Sequence, residues 1–220
     1  MSIHLFKHNQ QAYRAVTAML EKEKMAAVIH PTGTGKSLIA FKLAEENPSK
    51  HFLWLSPSEY IYQTQLEKLN MKFPNIQFMS YSRLMKNEDS IETLHPDYII
   101  LDEFHRCGAQ EWGKSVRKLL DTYPNAKRLG LSATNIRYLD NQRNMAEEIF
   151  DGKIASEMTL GEAIVREILP EPKYVIAMYS WKKERSETRG SIKQTIINNI
   201  KKYKLCLFTP LFRSFSLFYI

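Results

Sequence analysis

The sequence predicts an α/β fold, a mostly parallel sheet covered by helices on both faces. Three observations carry this. Short, nearly continuous apolar runs recur at AAVIH (26–30), HFLWL (51–55), IQFMS (76–80), YIILD (98–102) and KRLGLS (127–132). Helical stretches separate several of these runs, and the first run passes through a glycine-bearing turn straight into a helix. Strands buried on both faces lose the alternation of a half-exposed sheet, and parallel strands need crossover connections of helical length.

Taken in order, residues 9–22 read as a helix ahead of the strand 26–30. SLIAFKLAEEN, from Ser37, is a helix with Ile39, Ala40 and Leu43 on one face. After the strand 51–55, Pro57 and Ser58 open a helix carrying Tyr60, Ile61, Gln65 and Leu69. Three further strands follow at 76–80, 98–102 and 127–132. Beyond Ala133 the rhythm changes: NQRNMAEEIF (141–150) reads as a helix, DGK as a turn and IAS (154–156) as a short strand. TLGEAIVREIL (159–169) is a helix whose Thr159 and Glu162 have capping-box spacing. Pro170 and Pro172 break the chain before YVIAMYS (174–180), a further strand.

Composition limits the classes. At 44% hydrophobic and 25% charged, with 8 Gly and 9 Pro, the 220 residues can bury a core, which excludes a wholly disordered or collagenous chain. Cys107 and Cys206 make no disulfide framework and point to a reducing compartment. The first residues lack a basic start followed by an apolar stretch, and no run reaches the 18 or so apolar residues of a membrane span. A cytoplasmic protein without a membrane partner is expected.

The net charge of +7 suggests nucleic acid until it is located. Residues 1–181 carry 22 Lys plus Arg and 22 Asp plus Glu, whereas 182–204 carry 8 basic and 2 acidic side chains. The excess therefore belongs to a basic linker or helix at 181–204, and a solvated charged segment explains it as well as a binding face does. Residues 205–220, LCLFTPLFRSFSLFYI, end on bare apolar side chains and read as a truncated or altered start of a further domain.

HPTGTGKS (30–37) follows a strand and opens a helix, the context of a phosphate-binding loop. Pro31, Thr32, Gly33, Thr34, Gly35, Lys36 and Ser37 would wrap the phosphates, with Gly33 and Gly35 allowing the tight turn. Lys36 would reach the β and γ phosphates and Ser37 would place its hydroxyl on Mg²⁺. The strict pattern asks for glycine where this chain has His30, and the bland alternative is a surface turn with an incidental lysine. YIILDEFH (98–105) supplies the complementary half: Asp102 would hold Mg²⁺, directly or through water, and Glu103 would orient and activate the attacking water. An acidic pair can also cap a helix. Together the two segments specify a Mg²⁺-dependent nucleoside triphosphatase better than either alone, with Lys36, Asp102 and Glu103 as the catalytic candidates.

With these residues in place, the chain resembles the superfamily 2 helicases and translocases, in the broad DEAD/DEAH-like group that includes motor subunits of some restriction enzymes. HNQQAY (8–13) is similar to the glutamine-bearing segment before the first strand, HPTGTGKS to motif I and SPSEYIYQTQ (56–65) to motif Ia. SYSRL (80–84) is similar to motif Ib, DEFH (102–105) to motif II and LSAT (131–134) to motif III. The resemblance implies the first of two RecA-like P-loop domains, over residues 1–180, with the strand before LSAT inserted between those leading to Lys36 and Asp102. It further implies that Gln10, or its competitor Gln11, reads the adenine of ATP. His105, Ser132 and Thr134 would couple hydrolysis to movement, and Ser56, Ser58, Ser82 and Arg83 would touch a nucleic-acid backbone.

Two departures matter. Asn135 follows LSAT where many relatives have proline. The chain also ends before a second RecA-like domain, which in such proteins supplies arginines to the γ phosphate and half of the nucleic-acid track. The resemblance thus implies the ATP-binding half of an ATP-dependent helicase or translocase, acting on DNA rather than RNA. The competing expectation is a truncated nucleotide- or nucleic-acid-binding module with negligible hydrolysis.

Overall fold

The computed structural model describes residues 2–138 and 142–171. The predicted strand 174–180, the domain boundary near 180, the basic segment 181–204 and the apolar tail 205–220 lie outside the described residues. Helix α1 (Lys7–Glu23) leads into β1 (Met25–Ile29), α2 (Lys36–Glu46) and β2 (Phe52–Ser56). Then come α3 (Glu59–Leu69), β3 (Ile76–Ser80), α4 (Tyr81–Lys86), β4 (Tyr98–Asp102), α5 (Gln110–Thr122) and β5 (Lys127–Ser132). A two-stranded antiparallel pair, β6 (Ile136–Arg137) and β7 (Arg143–Asn144), precedes α6 (Met145–Phe150), β8 (Ile154–Glu157) and α7 (Leu160–Val165).

The main sheet runs β3-β2-β4-β5-β1-β8, and every pairing in it is parallel. β5 lies between β1 and β4, as the resemblance implies. Alternate residues of each strand feed two separate cores. Ala26, Val28, Phe52, Trp54, Ile100 and Leu129 face α1, α2 and α3, whereas Ala27, Ile29, Leu53, Leu55, Ile99 and Leu101 face α4, α5 and α6. That two-sided burial is why the strands read as continuous apolar runs.

Gly130 shows how closely the second face is packed. A Cβ there would lie 2.4 Å from Phe150 Cζ and 2.9 Å from Phe104 Cδ1. The missing side chain lets these two rings, 5.1 Å apart and edge-on, press against the middle of the sheet. Phe104 directly follows the acidic pair, so this contact anchors the segment that carries Asp102 and Glu103.

Two local expectations are corrected. The helix predicted over 141–150 begins only at Met145, because Asn144 caps it by accepting from Ala146 N, and Arg143–Asn144 form β7 instead. The helix predicted over 159–169 stops at Val165, although Thr159 caps it through Glu162 N as its spacing implies. Helix α5 was not anticipated. Its inward Val116, Leu119 and Leu120 have helical spacing, diluted in the sequence by Gly113 and by charged neighbours.

Candidate nucleotide-binding site

The carboxyl ends of β1, β4 and β5 lie side by side, the position where open α/β sheets bind ligands. The β1 ladder continues one residue further through His30 N, which donates to Ser132 O at 3.0 Å. The loop then folds on itself: Thr34 Oγ1 donates to Pro31 O at 2.8 Å, and Gly33 and Gly35 adopt φ of 94° and 81°, which only glycine reaches cheaply. Helix α2 starts at once from Gly35, with no side-chain cap and no acidic residue in its first turn. Its amino end therefore keeps free N–H groups and positive dipole for an anion.

Lys36 is buried, and its Nζ donates back to His30 O at 2.9 Å and Pro31 O at 3.3 Å. Burial lowers its pKa, opposed by the nearby Glu103 and Asp102 carboxylates. Asp102 ends β4 at 5% exposure, and burial, reinforced by Glu103 and opposed by Lys36, pushes its carboxyl up to about 7. A cation beside it would restore the carboxylate. Ser37 is half-buried, and its Oγ accepts from Gln65 Nε2 at 3.0 Å. Ser37 and Asp102 supply two oxygen donors, and no cluster of three or more metal-ligating His, Cys, Asp or Glu exists among the described residues. Such a sparse all-oxygen set fits Mg²⁺, which keeps waters and phosphate oxygens in its shell.

From Glu103 a polar chain leads to the next strand. Glu103 has φ of 53°, and its Oε2 lies 3.3 Å from His105 Nδ1. The same Nδ1 is 2.8 Å from Ser132 Oγ, which accepts from Thr134 N at 3.3 Å. Burial lowers the His105 pKa, opposed by the Glu103 carboxylate beside it. Thr134 Oγ1 in turn accepts from Ile136 N at 3.1 Å, and Asn135 O accepts from Met145 N at 2.8 Å. The turn after LSAT is thereby tied to α6 even without proline.

Before the loop, the structure brings in residues that the motif reading passed over. Asn9 is fully buried, and its Nδ2 donates to Thr34 O at 2.9 Å and Gly35 O at 3.2 Å. His8 Nε2 is 2.8 Å from Thr34 O, and its ring stacks on the exposed Phe6. Gln10 and Gln11 are exposed, and Gln10 Nε2 donates to Leu5 O at 3.0 Å rather than to the loop. Asn9 shares the inward stripe of Ala12, Val16 and Leu20. A polar residue on an otherwise apolar stripe was the available signal.

His30, which replaces glycine at the start of the motif, is 1% exposed, with Nε2 2.8 Å from Ser156 Oγ on β8. It braces the loop against the last strand of the sheet. Burial first, then the charges of Lys36 and His8, push its pKa down to about 4.

The candidate nucleic-acid residues separate. Ser58 caps α3 through Tyr60 N, Ser82 is half-buried in α4, and Arg83 is exposed with NH1 3.7 Å from Glu59 Oε1. Ser56 does not belong with them on a surface. It is fully buried and its Oγ donates to Ser58 O at 2.8 Å, so it shapes the turn instead. No helix among the described residues is long and apolar enough to cross a membrane.

A family model described as "Type III restriction enzyme, res subunit" matches residues 2–75 and 67–137. No curated protein sequence matches significantly. Among solved structures, the ATP-dependent Type ISP restriction-modification enzyme LlaBIII bound to DNA is similar at 18% identity and a TM-score of 0.54, over 76% of this chain and 16% of that one. The Pyrococcus furiosus Hef helicase domain is similar at 16% identity and a TM-score of 0.54, over 78% of this chain and 44% of that one. At these identities the likeness shows the fold, and the chain spans less than half of either structure.

Proposed function

Because the chain belongs to the type III restriction enzyme res-subunit family, a helicase-type ATP-binding domain, we propose that it is the ATP-binding half of a DNA helicase or translocase and hydrolyses ATP with Mg²⁺. One observation carries this reading: Lys36, Asp102, Glu103 and the His105–Ser132 contact lie at the ends of three adjacent parallel strands.

In this reading the amides of Gly33 to Ser37 and the Lys36 ammonium, released from His30 O and Pro31 O, hold the phosphates. Pro31 and Thr32 line the approach to the loop. Ser37 and Asp102 hold Mg²⁺, which when bound offsets the phosphate charge. Glu103 accepts a proton from the attacking water as its oxygen bonds to the γ phosphorus and the bond to the β-bridging oxygen breaks. His105, Ser132 and Thr134 carry the change at Glu103 to the turn after β5. Asn9 senses the nucleotide through Thr34 and Gly35, and Gln10 or Gln11 reads the adenine, Gln10 by giving up its bond to Leu5 O. DNA is preferred over RNA because one structurally similar protein is described as bound to DNA.

Titration with a fluorescent ATP analogue tests the reading. Lys36→Ala should weaken binding by about tenfold or more, since it removes a charged donor from buried phosphates. Glu103→Gln should bind as the unmodified chain does and release no phosphate. Equal affinity in Lys36→Ala rejects the loop assignment. Normal phosphate release in Glu103→Gln rejects the role of Glu103, while no release from the unmodified chain favours the binding-module alternative.

A further inference from the structure

We propose that Gln65 is a positioning residue for the Ser37 hydroxyl, presenting opposite ends of its amide to the metal-free and metal-bound states; this rests on the reading of Ser37 as a Mg²⁺ ligand. Gln65 lies in α3, twenty-eight residues from Ser37 in sequence, and its Nε2 donates to Ser37 Oγ at 3.0 Å. At the other end of the same carboxamide, Oε1 is buried and has no hydrogen-bond partner. A buried carbonyl oxygen without a donor is costly, so Gln65 is only half satisfied in this arrangement.

The chemistry of a serine hydroxyl gives the half-satisfied amide a use. The hydroxyl has one proton to donate and lone pairs to share. As a metal ligand it commits a lone pair to the cation, and its proton becomes a stronger donor that requires an acceptor. Here Gln65 Nε2 occupies one of the two Ser37 lone pairs and offers the hydroxyl proton no acceptor. Rotating the carboxamide by half a turn about its last bond replaces Nε2 with Oε1, which then accepts the Ser37 proton. One rotation clears that lone pair and gives the proton an acceptor, while Nε2 takes the place that Oε1 leaves.

Helix α3 is suited to such an adjustment. None of its residues is fully buried, whereas α2 buries six. It is held by the partly buried Leu66 and Leu69 and by the stacking of Tyr62 on Phe78 at 4.3 Å. Small shifts of a helix held this way cost little packing, so the amide can follow Ser37.

The test is a Mg²⁺ titration of fluorescent-ATP binding by the full chain and by Gln65→Leu and Gln65→Glu. Leucine removes both ends of the amide, and glutamate keeps an acceptor without a donor. Metal-free nucleotide affinity should be the same in the unmodified chain and Gln65→Leu, and lower in Gln65→Glu, whose carboxylate repels uncompensated phosphates. The Mg²⁺ concentration at half-saturation should rise about tenfold in Gln65→Leu, as when an outer partner of a metal ligand is lost, and should stay level or fall in Gln65→Glu. A purely structural role would lower the melting temperature and the metal-free affinity of Gln65→Leu together, and that pattern overturns the proposal. If the unmodified chain binds no ATP, the reading of the loop fails and takes the proposal with it. If it binds Mg²⁺-ATP and Gln65→Leu half-saturates at the same Mg²⁺ concentration, the proposal fails alone.

Discussion

The Tyr81 hydroxyl donates to the backbone carbonyl of Asp102 at 2.9 Å, with the tyrosine fully buried. Tyr81 opens α4, in the segment beside the candidate DNA contact Arg83, and Asp102 ends β4 at the candidate metal position. The bond fixes where the strand stops and the acidic pair begins. Tyr81→Phe keeps the ring and its stacking on Trp112 but leaves the carbonyl short of a donor. The loss should be about 1 kcal/mol, read as a melting-point drop of roughly 2–4 °C in a chain of this size. An unchanged melting point would show that the hydroxyl does not hold the strand end.

How much of this was legible depended on whether the signal was local. β3, β4 and β5 have the bounds read from the sequence, because each apolar run stops at a polar residue where the strand leaves the core. The glycine turn and the acidic pair were legible for the same reason. Helix α5 was not, because Gly113 weakened the pattern. That glycine is there for packing, since a Cβ would meet Cys107 O at 2.5 Å. Asn9 was passed over because motif reading favours glutamine, while the inward stripe of α1 selects the residue before it. The Gln65–Ser37 contact joins distant segments, and only the packing of α3 beside α2 creates it.

Glu103 holds a left-handed backbone, φ 53°, that a side chain pays for with roughly 1–2 kcal/mol relative to glycine. Glu103→Gly should therefore raise the melting temperature by a few degrees while abolishing phosphate release, and Glu103→Gln should do only the latter. Differential scanning calorimetry of the three proteins decides it. A glycine variant less stable than the glutamine variant would mean that the contact with His105 outweighs the backbone strain.

The pH dependence of stability should carry the mark of His30. Unfolded, a histidine takes its proton near pH 6.5; folded, His30 does so only at about 4. Between these values the unfolded chain binds more protons, so the contribution of His30 to stability falls as pH drops from about 6.5 to 4 and then levels off. Asp102 acts in the opposite sense: with its carboxyl raised to about 7, the folded chain binds more protons between about 4 and 7, and its contribution rises as pH falls. The two partly cancel, so the wild-type profile alone is uninformative. His30→Gln keeps a partner for Ser156 and removes only one of them. In urea unfolding, the stability difference between wild type and variant should be constant above pH 7 and shift against the wild type toward pH 4, by on the order of 2 kcal/mol. A difference that stays flat from pH 7 to 4 would show that His30 is not held neutral.

DNA binding provides the last test, because two sources of positive charge compete for it. Arg83 is exposed and its partner Glu59 is half-buried with a solvent-accessible carboxylate, so a phosphate can replace that carboxylate at little cost. Ser58 and Ser82 add hydroxyls on the two neighbouring helices, whereas buried Ser56 adds none. Residues 182–204, with 8 basic and 2 acidic side chains, can attract DNA with no specific surface at all. Fluorescence anisotropy with a labelled single strand, at several salt concentrations, separates the two. Affinity should fall steeply with salt in the full chain. In a chain ending at residue 180, binding should weaken but survive, and Arg83→Ala within that shorter chain should reduce the salt slope by about 1, the value for one lost phosphate contact. Adding Mg²⁺-ATP should change the affinity of the shorter chain, since the Glu103–His105–Ser132 contacts and the Tyr81–Asp102 bond join the nucleotide site to the segments beside Arg83. Loss of all binding with residues 181–220 would assign the affinity to the basic segment and remove Arg83 from the DNA contact.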